Sequence, residues 1–553
     1  MCTFILCILI TVAPLNRLAG TTLLSSIPLC MLLTVMGTKL PTDLHLTADT
    51  HASQVNTDTI EFLSIMVLVY LVYAICAYIA YTYSTVQTPP TAKRVQFRSI
   101  RIFLQLIWIG AILIGIIYVL TPSMLSRDAS AYASYGRIIV TYHANPYYTP
   151  LSAFPHDPFF QLDDWRDTPA AYGPLWLVVC AISTFVAGSS ILHYIFFYRI
   201  LGLIAHLINI VLVTAILRKM KRSPRIVVLG ILLYAWNPLV LLESCLGGHN
   251  DIVMVTCILV GILLCIRVEQ DIFFHARYYL PPAVAFTCAA LIKFTAAPII
   301  AFYLVLLAGR VFANELPMPQ QKHMPYRLRE LLTLRVVSTS ALVSGLLAAI
   351  LYIPLWLGHT IHEIGVSLGS LPSSRLAFGS ILLALQKVVA TFHGDNGLLA
   401  FFSKHSTWSV INIIVVVGFF GIGALWIWHV PTTRTMVRAT LATLGALLIV
   451  TPWFFPWYVI WLVSLAVVSL PDMHENYVGR ALMASTFTFS ASALLIYLFR
   501  GYPPIGDWIG FASLTTIGPP LIVFLFFLLS RKNTAREQQN TSASVETANQ
   551  LVP

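Results

Sequence analysis

Long apolar runs follow one another along most of this 553-residue chain, and short polar segments separate them. A helix needs about 20 apolar residues to cross the hydrocarbon core of a bilayer. Backbone groups in lipid must be hydrogen-bonded within their own segment, so each long run predicts a membrane-spanning α-helix. We predict about fourteen spans, at residues 21–36, 60–83, 102–120, 194–217, 226–242, 252–266, 279–292, 294–307, 336–357, 410–428, 439–450, 457–470, 481–498 and 514–529.

The apolar run at residues 175–186 is too short for a comfortable span, and we predict a half-helix in the membrane or at its interface. The Lys and Arg residues support this choice. If the run does not cross, the loops with Lys93, Arg222, Arg329 and Arg434 fall on one side. Basic loops are typical of the cytoplasmic side, so we assign that side to them.

Composition agrees with a membrane protein, because 58% of the residues are apolar and only 10% are charged. Soluble domains carry roughly 25% charged residues. The net charge of +11 is explained by basic cytoplasmic loops and does not indicate a nucleic-acid partner. The nine cysteines contain no CxxC and predict neither a disulfide framework nor a zinc site.

The predicted fold class is therefore an all-α polytopic membrane protein. We expect it to lie in the plasma membrane. We expect one membrane domain over residues 1–530 and a disordered cytoplasmic tail over 531–553. Residues 1–15 could be a cleaved signal peptide. A second apolar run follows them at once, so we favour an uncleaved anchor.

Two long loops, 121–172 and 358–407, lie on the opposite, extracytoplasmic side in this topology, and we expect short amphipathic helices in them. Long loops between spans tend to carry function. In the first loop, Asp128, Tyr132 and Tyr135 have the i, i+4, i+7 spacing of one helix face. Asp128 follows a span directly and could be a general base. It could equally be a helix cap or an ion-pair partner of a neighbouring arginine.

The outer corner at 236–251 places Glu243, His249, Asn250 and Asp251 at a membrane edge. The alternative to a functional site is a helix end followed by a new helix that Asn250 or Asp251 caps. Lys293 interrupts an apolar stretch. It predicts a functional site, or else a side chain that snorkels to lipid headgroups.

These motifs together resemble the bacterial GT-C glycosyltransferases, and most closely the polyprenol-phosphomannose-dependent α-1,6-mannosyltransferases. The resemblance is carried by the run from Asp128 to Arg137, by Asn-Pro-Tyr at 145–147, by Tyr-Gly-Pro-Leu-Trp at 172–176, and by Asn-Pro-Leu with Gly-Gly-His-Asn-Asp up to Asp251. It implies a lipid-phosphate sugar donor, a glycan or glycolipid acceptor, and Asp128 as the base. A phosphate is a good leaving group once cations neutralise it, so no general acid is required.

Lys293, His249 and Arg375 are the scarce cationic groups on the outer side, and we predict that they contact the donor phosphate. Other polar and aromatic residues of the outer loops are assigned to substrate binding: Tyr132, Tyr135, Arg137, Asn145, Tyr147, Tyr172, Glu243, Asn250, Asp251 and Trp457. The expected reaction transfers a hexose, most simply mannose, with inversion.

Two other functions are compatible with the sequence: a transporter or flippase of a lipid-linked sugar, and another lipid-dependent enzyme such as a glycan ligase. The lack of an evident internal repeat weakens the transporter interpretation. We expect no cofactor. Asp163 and Asp164 could mimic a pair of metal-binding carboxylates, but a metal is not favoured.

Overall fold

A computed structural model describes residues 57–85, 93–121, 126–271, 273–312, 326–369, 405–451, 453–470, 477–497 and 513–529. These parts of the chain form helices and turns without a strand, which confirms the all-α prediction. The predicted span at 21–36, Arg375 with most of its loop, and the tail at 531–553 lie outside the described residues.

The α-helices of the described segments are α1 (Thr57–Thr85), α2 (Lys93–Leu120), α3 (Asp128–Val140), α4 (Pro174–Ala187), α5 (Ile191–Lys219), α6 (Pro224–Ala235), α7 (Pro238–Leu241), α8 (Asp251–Gln270), α9 (Ala276–Ile292), α10 (Ala297–Phe312), α11 (Tyr326–Trp356), α12 (Ile361–Gly369), α13 (His405–His429), α14 (Thr433–Val450), α15 (Val459–Val468), α16 (Tyr477–Ser492) and α17 (Ser513–Leu529). Short 3₁₀ turns precede α10 and α15 and follow α16.

Eight helices in the described part of the chain are long and apolar enough to cross a membrane, or nine if a bent pair counts as one span. Four further apolar helices, α4 and α17 among them, are shorter. The fold is therefore that of a polytopic membrane protein, but the predicted count of about fourteen spans is not confirmed.

The predicted span at 226–242 is not one straight helix. It breaks after α6, and the segment from Pro238 to Leu246 continues at an angle of 49°. Pro238 lacks an N–H group, and the side chain of Asn237 caps the new helix by accepting from Val240 N at 3.1 Å. A π-helical turn, Leu242–Leu246, follows α7. Such turns often occur at functional sites.

Helix α4 is among the apolar helices that are shorter than a full span. Its first end is tied to α9, because Gly173 N donates to Ile292 O at 3.0 Å. Its second end leads into α5, where Arg199 donates to Thr121 O at the end of α2. Both ends of α4 therefore lie at the edge where α2 ends, which we call the site edge.

Arg222, Arg310 and Arg438 lie at the opposite ends of the helices, which we call the basic edge. Arg222 donates there to Leu470 O, Arg438 to Ser469 O and Arg310 to Glu269 O. These bonds join the loops around α5, α8, α10, α14 and α15. The basic loops of these helices therefore share one edge, as the charge pattern predicts.

Candidate active site

Asp128 is the first residue of α3, and it is buried at the site edge. Its backbone N–H donates to Ser126 Oγ at 3.2 Å. Its Oδ2 atom lies 3.4 Å from Nδ1 of His249. The fold thus brings the Asp128 carboxylate of the first loop next to the His249 imidazole of the 236–251 corner.

The neighbouring arginines, which were the alternative partners for Asp128, bind other carboxylates. Arg127 pairs with Asp164 at 3.0 Å on the surface. Arg137 pairs with the buried Asp157 at 2.7 Å. Arg137 also lies outside the lining of the cavity described next. Its position indicates that it shapes the loop, and its predicted substrate contact gains no support.

A cavity of about 250 Å³ opens beside Asp128. Asp128 is the one carboxylate, and Lys293 the one cation, among the described residues that line it. Most of the remaining lining is aromatic: Tyr135, Trp165, Tyr172, Phe294, Trp453, Phe455, Trp457, Tyr458 and Trp461. An acid–base group and a cation thus share one largely aromatic cavity.

His249 is enclosed between two carboxylates. Its Nε2 atom lies 3.3 Å from Oε2 of Glu243, which is also fully buried. Oε1 of Glu243 accepts a hydrogen bond from the Tyr497 hydroxyl at 2.7 Å. Burial alone would lower the pKa of His249, but Asp128 and Glu243 outweigh it and raise that pKa to about 9. The two carboxylates therefore favour the protonated form of the His249 imidazole at neutral pH.

Lys293 follows α9 and is buried, so it does not snorkel to lipid headgroups. Its Nζ donates to Oδ1 of Asp251 at 2.8 Å, and Trp461 Nε1 donates to the same oxygen at 2.6 Å. The Tyr458 ring lies 4.2 Å from Nζ. Burial lowers the pKa of Lys293, and the Asp251 charge opposes that shift. An ammonium group has three N–H donors, so the pair with Asp251 leaves donors for another ligand.

Asn250 and Asp251 begin α8, but neither acts as a side-chain cap. Asn250 Oδ1 accepts from the Tyr132 hydroxyl at 3.4 Å. Asn250 Nδ2 and Asp251 Oδ2 are buried without a hydrogen-bond partner. Because such groups are costly unless satisfied, they are candidates for contacts to substrate hydroxyls. The capping alternative is thus not what the structure shows.

Two glycines allow this corner to form. Gly248 has φ of +67°, a conformation that a side chain rarely adopts, and it packs against Tyr198. Gly202 on α5 lies against Ser244, where a Cβ atom would come within 1.9 Å of the Ser244 carbonyl oxygen. The π-helical turn that carries Glu243 therefore sits directly on the α5 backbone.

The tyrosines of the first loop divide into two groups. Tyr135 and Tyr172 line the cavity. Tyr132 is fully buried in edge-to-face contact with Tyr172 at 5.3 Å and with Trp176 at 5.1 Å. The predicted helical face is present, but Tyr132 supports the cavity wall from behind.

Asn145 and Tyr147, which were predicted to bind substrate, connect parts of the outer surface. Asn145 Nδ2 donates to Leu355 O near the end of α11. The Tyr147 hydroxyl donates to Tyr172 O at 2.9 Å. Both residues lie outside the cavity lining and hold the loop in place.

Sequence reasoning gave no role to several site residues, among them Tyr458, Trp461 and Tyr497. All three lie within or beside apolar runs that were interpreted as membrane spans. The available signal was the polar tip of each ring, because a buried Tyr or Trp usually finds a hydrogen-bond partner.

The carboxylates of Asp163 and Asp164 do not face a common site where they could bind one metal ion. Asp163 Oδ1 accepts from Trp165 N at 2.8 Å, whereas Asp164 pairs with Arg127. Within the described segments, no group of three His, Cys, Asp or Glu side chains is placed to hold a metal ion. The expectation that the protein uses no cofactor stays a prediction.

The helical membrane fold is of the GT-C glycosyltransferase type, and its carboxylate and cation meet at one edge of the bundle. The chain belongs to the family described as "Alpha-(1->6)-mannopyranosyltransferase, N-terminal domain", which matches residues 20–309. The matched range contains the site residues Asp128, Glu243, His249, Asp251 and Lys293. The protein is therefore a mannosyltransferase of the GT-C type.

Two curated relatives agree with this family. Alpha-(1->6)-mannopyranosyltransferase A of Corynebacterium glutamicum is 23% identical over 385 residues, which cover 68% of this chain and 72% of the relative. A probable alpha-(1->6)-mannopyranosyltransferase of Mycolicibacterium smegmatis is 30% identical over 152 residues, which cover 27% of this chain and 26% of the relative.

Proposed function

We propose that this protein transfers mannose from a polyprenyl phosphate to a glycan or lipid-linked acceptor at the extracytoplasmic face of the plasma membrane. One observation carries the proposal: Asp128 and Lys293 line the same cavity at the site edge. The Asp128 carboxylate can accept the proton of the acceptor hydroxyl, and the Lys293 ammonium group can bind the donor phosphate.

The position of the cavity favours a donor that is held in the membrane. Leu447 and Leu448 of α14 line it, and Phe294 beside Lys293 is 56% exposed. An isoprenoid chain can lie along such apolar surface while its phosphate reaches Lys293. This combination of a buried cation with an apolar approach supports the proposal of a polyprenyl-phosphate donor.

The single carboxylate in the described cavity lining supports direct displacement. Asp128 would take the proton of the acceptor hydroxyl while that oxygen attacks the anomeric carbon and the phosphate leaves. A retaining enzyme would need a second carboxylate as nucleophile, typically about 5 Å from the first. Inversion of a β-linked donor gives an α-linked product, the linkage in the relatives' names.

The remaining predicted contacts are reassigned in part. Both ring nitrogens of His249 face carboxylates, so we no longer propose His249 as a phosphate ligand. Asn250 and Asp251 lie outside the cavity lining, so their contacts to sugar hydroxyls stay predictions. Trp457 lines the cavity and keeps its proposed contact to the substrate. Arg375 stays a prediction for the donor phosphate.

The proposed sidedness rests on charge. The basic edge is the opposite end of the bundle from Asp128 and Lys293, and basic loops are typical of the cytoplasmic side. The site edge is then extracytoplasmic, where a flipped lipid-linked sugar is available and sugar nucleotides are not.

The test is an assay of the purified protein with radiolabelled polyprenyl-phosphate mannose, polyprenyl-phosphate glucose and GDP-mannose. We expect transfer from the mannosyl lipid, and a loss of about 10²–10⁴ in rate for Asp128→Asn with donor binding retained. Transfer from GDP-mannose alone would reject the lipid donor. Movement of the mannosyl lipid across vesicles without a new glycosidic bond would favour a flippase. Near-normal turnover by folded Asp128→Asn would reject Asp128 as the base.

A further inference from the structure

Glu243 and His249 lie behind Asp128 and do not line the cavity. Both side chains are fully buried, and they connect Asp128 to Tyr497 through contacts of 3.4, 3.3 and 2.7 Å. Glu243 was predicted to bind sugar hydroxyls, but its two oxygens face His249 and Tyr497 instead. Two buried carboxylates on one imidazole therefore need an explanation other than substrate binding.

We propose that Glu243 and His249 are positioning residues that act through Asp128. In this arrangement they hold the Asp128 carboxylate in place and balance its charge when it accepts the proton of the acceptor hydroxyl. We call the four side chains Asp128, His249, Glu243 and Tyr497 the relay. The inference rests on the proposed function of Asp128 as the general base.

The charge balance explains why a second carboxylate is useful. Before transfer, two carboxylates and one imidazolium carry a net charge of minus one. During transfer the acceptor O–H bond breaks and its proton moves to Asp128. The acceptor oxygen forms a bond to the anomeric carbon, and the phosphate leaves with the electron pair of the broken C–O bond. The relay is then neutral, because Glu243 still balances the imidazolium.

Without Glu243, protonated Asp128 would leave an unbalanced imidazolium in a buried place. Because burial strongly disfavours an unpaired charge, proton transfer to Asp128 would be less favourable. Without His249, two carboxylates would face each other, and proton transfer to Asp128 would be more favourable. The two partners therefore act on the basicity of Asp128 in opposite directions.

The other charged groups near the relay already have partners. Lys293 and Asp251 pair at 2.8 Å and together add little net charge. Arg199, on α5, donates to the backbone oxygen of Leu246 at 2.9 Å. Asp163 lies on the same loop as Asp128, and its charge contributes to the local field in every variant below.

The pH profile of kcat at saturating donor tests the relay. Its acidic limb reports the ionisation of the base in the complex, as a property of the coupled group. We expect Glu243→Gln to move this limb to lower pH by about one unit and to lower the plateau rate about tenfold or more. We expect His249→Gln to move the limb to higher pH by about one unit. Glu243→Asp keeps the negative charge, so the acidic limb of this variant should lie at the pH seen in the unmodified protein.

The matched control is Asp167→Asn, because this carboxylate lies in the same loop with its side chain 77% exposed. The acidic limb of the Asp167→Asn profile should lie at the same pH as that of the unmodified protein. Limbs that move in the same direction in Glu243→Gln and His249→Gln, or do not move in either, would overturn the relay. Misfolding lowers the amount of active protein, but it does not produce opposite shifts in pH dependence.

Tyr497→Phe is a milder variant for the case in which Glu243→Gln does not fold. It removes only the hydroxyl dipole that offsets the Glu243 charge, so the limb should move to higher pH, by less than in His249→Gln. An unshifted limb would count against the relay. Near-normal activity of Asp128→Asn would instead reject Asp128 as the general base. The failure of the relay and the failure of the proposed function are therefore distinguishable.

Discussion

The indole of Trp457 lies flat on the imidazole of His249, with ring centroids 3.9 Å apart and planes 15° apart. Phe455 also stacks on Trp457, with ring centroids 4.5 Å apart. An aromatic face attracts a cation by about 0.5–2 kcal/mol. This stack therefore stabilises the protonated form of His249.

The first prediction concerns the pH dependence of stability. The pKa of folded His249 is raised to about 9 from an ordinary value of 6.5. Its stabilising contribution is complete below pH 6.5 and is lost as the pH rises through about 9. We expect Trp457→Ala to reduce this pH-dependent contribution and Trp457→Phe to keep most of it. Thermal unfolding in detergent between pH 6 and 10 measures the effect, and equal pH dependence in both variants would contradict it.

A second prediction separates the two roles of Lys293. Lys293→Met removes the cation proposed to bind the donor phosphate and leaves Asp251 buried without its cationic partner, which typically destabilises by about 3–5 kcal/mol. Adding Asp251→Asn should restore much of that stability. It should not restore donor use, because the lost bond to phosphate is worth roughly 1.5–3 kcal/mol, or about tenfold or more in affinity.

Donor saturation kinetics and unfolding temperatures of both single variants and the double variant check this prediction. Recovery of donor use in the double variant would mean that Lys293 only neutralises Asp251. Lys293→Arg serves as the control that keeps the charge.

The third prediction concerns the close contact of α5 with the π-helical turn. A Cβ atom on Gly202 would come within 1.9 Å of the Ser244 carbonyl oxygen. Gly202→Ala should therefore displace the turn that carries Glu243 and destabilise the protein by about 1–3 kcal/mol. The matched control is Gly345→Ala on α11, where a Cβ atom meets nothing within 4 Å. The control should be neutral or stabilising. Equal unfolding temperatures for the two variants would show that α5 can move away.

The sequence was most informative where charge interrupts apolar runs. Asp128, His249, Asp251 and Lys293 were selected because charged groups at membrane edges are costly and rarely accidental, and the structure brings all four together. The positions could be predicted, but their pairing could not. His249 and Lys293 looked like equivalent cations, and only the fold gives each its own carboxylate partner.

The remaining errors have a physical origin in apolar patterns. A hydropathy pattern does not distinguish a straight span from one that Pro238 bends by 49°, although Asn-Pro is visible in the sequence. Tyr497 and Trp461 were counted as span residues because their rings are apolar, whereas their polar tips complete the site. The ion pair of Arg137 with Asp157, 20 residues further along the chain, could not be predicted from the sequence.

The fourth prediction tests sidedness. Asp167 is exposed near the site edge, and Lys219 is exposed at the basic end of α5. A single added cysteine at position 167 should react with a membrane-impermeant reagent in intact cells. A cysteine at position 219 should react only after the membrane is opened. Labelling of both positions from the same side would contradict the arrangement, and a protein without an added cysteine gives the background.

The last prediction concerns Asp163, a buried carboxyl group in the first loop. Burial raises its pKa to about 6 from an ordinary 3.8. The folded protein therefore binds a proton more tightly than the unfolded chain between these values, so stability falls as the pH rises from about 4 to 6. A shift of about two units corresponds to about 3 kcal/mol.

Asp163→Asn cannot ionise and should remove this decline, so that the variant gains stability relative to the unmodified protein as the pH rises. The amide side chain of this variant keeps an oxygen for the hydrogen bond from Trp165 N, so the loop should hold its shape. Unfolding temperatures of both proteins at pH 4, 5, 6 and 7 give the difference directly. Asp164→Asn is the matched control, because that carboxylate is exposed and should change the curve little. Parallel curves for Asp163→Asn and the unmodified protein would show that Asp163 is ionised in the folded state without cost.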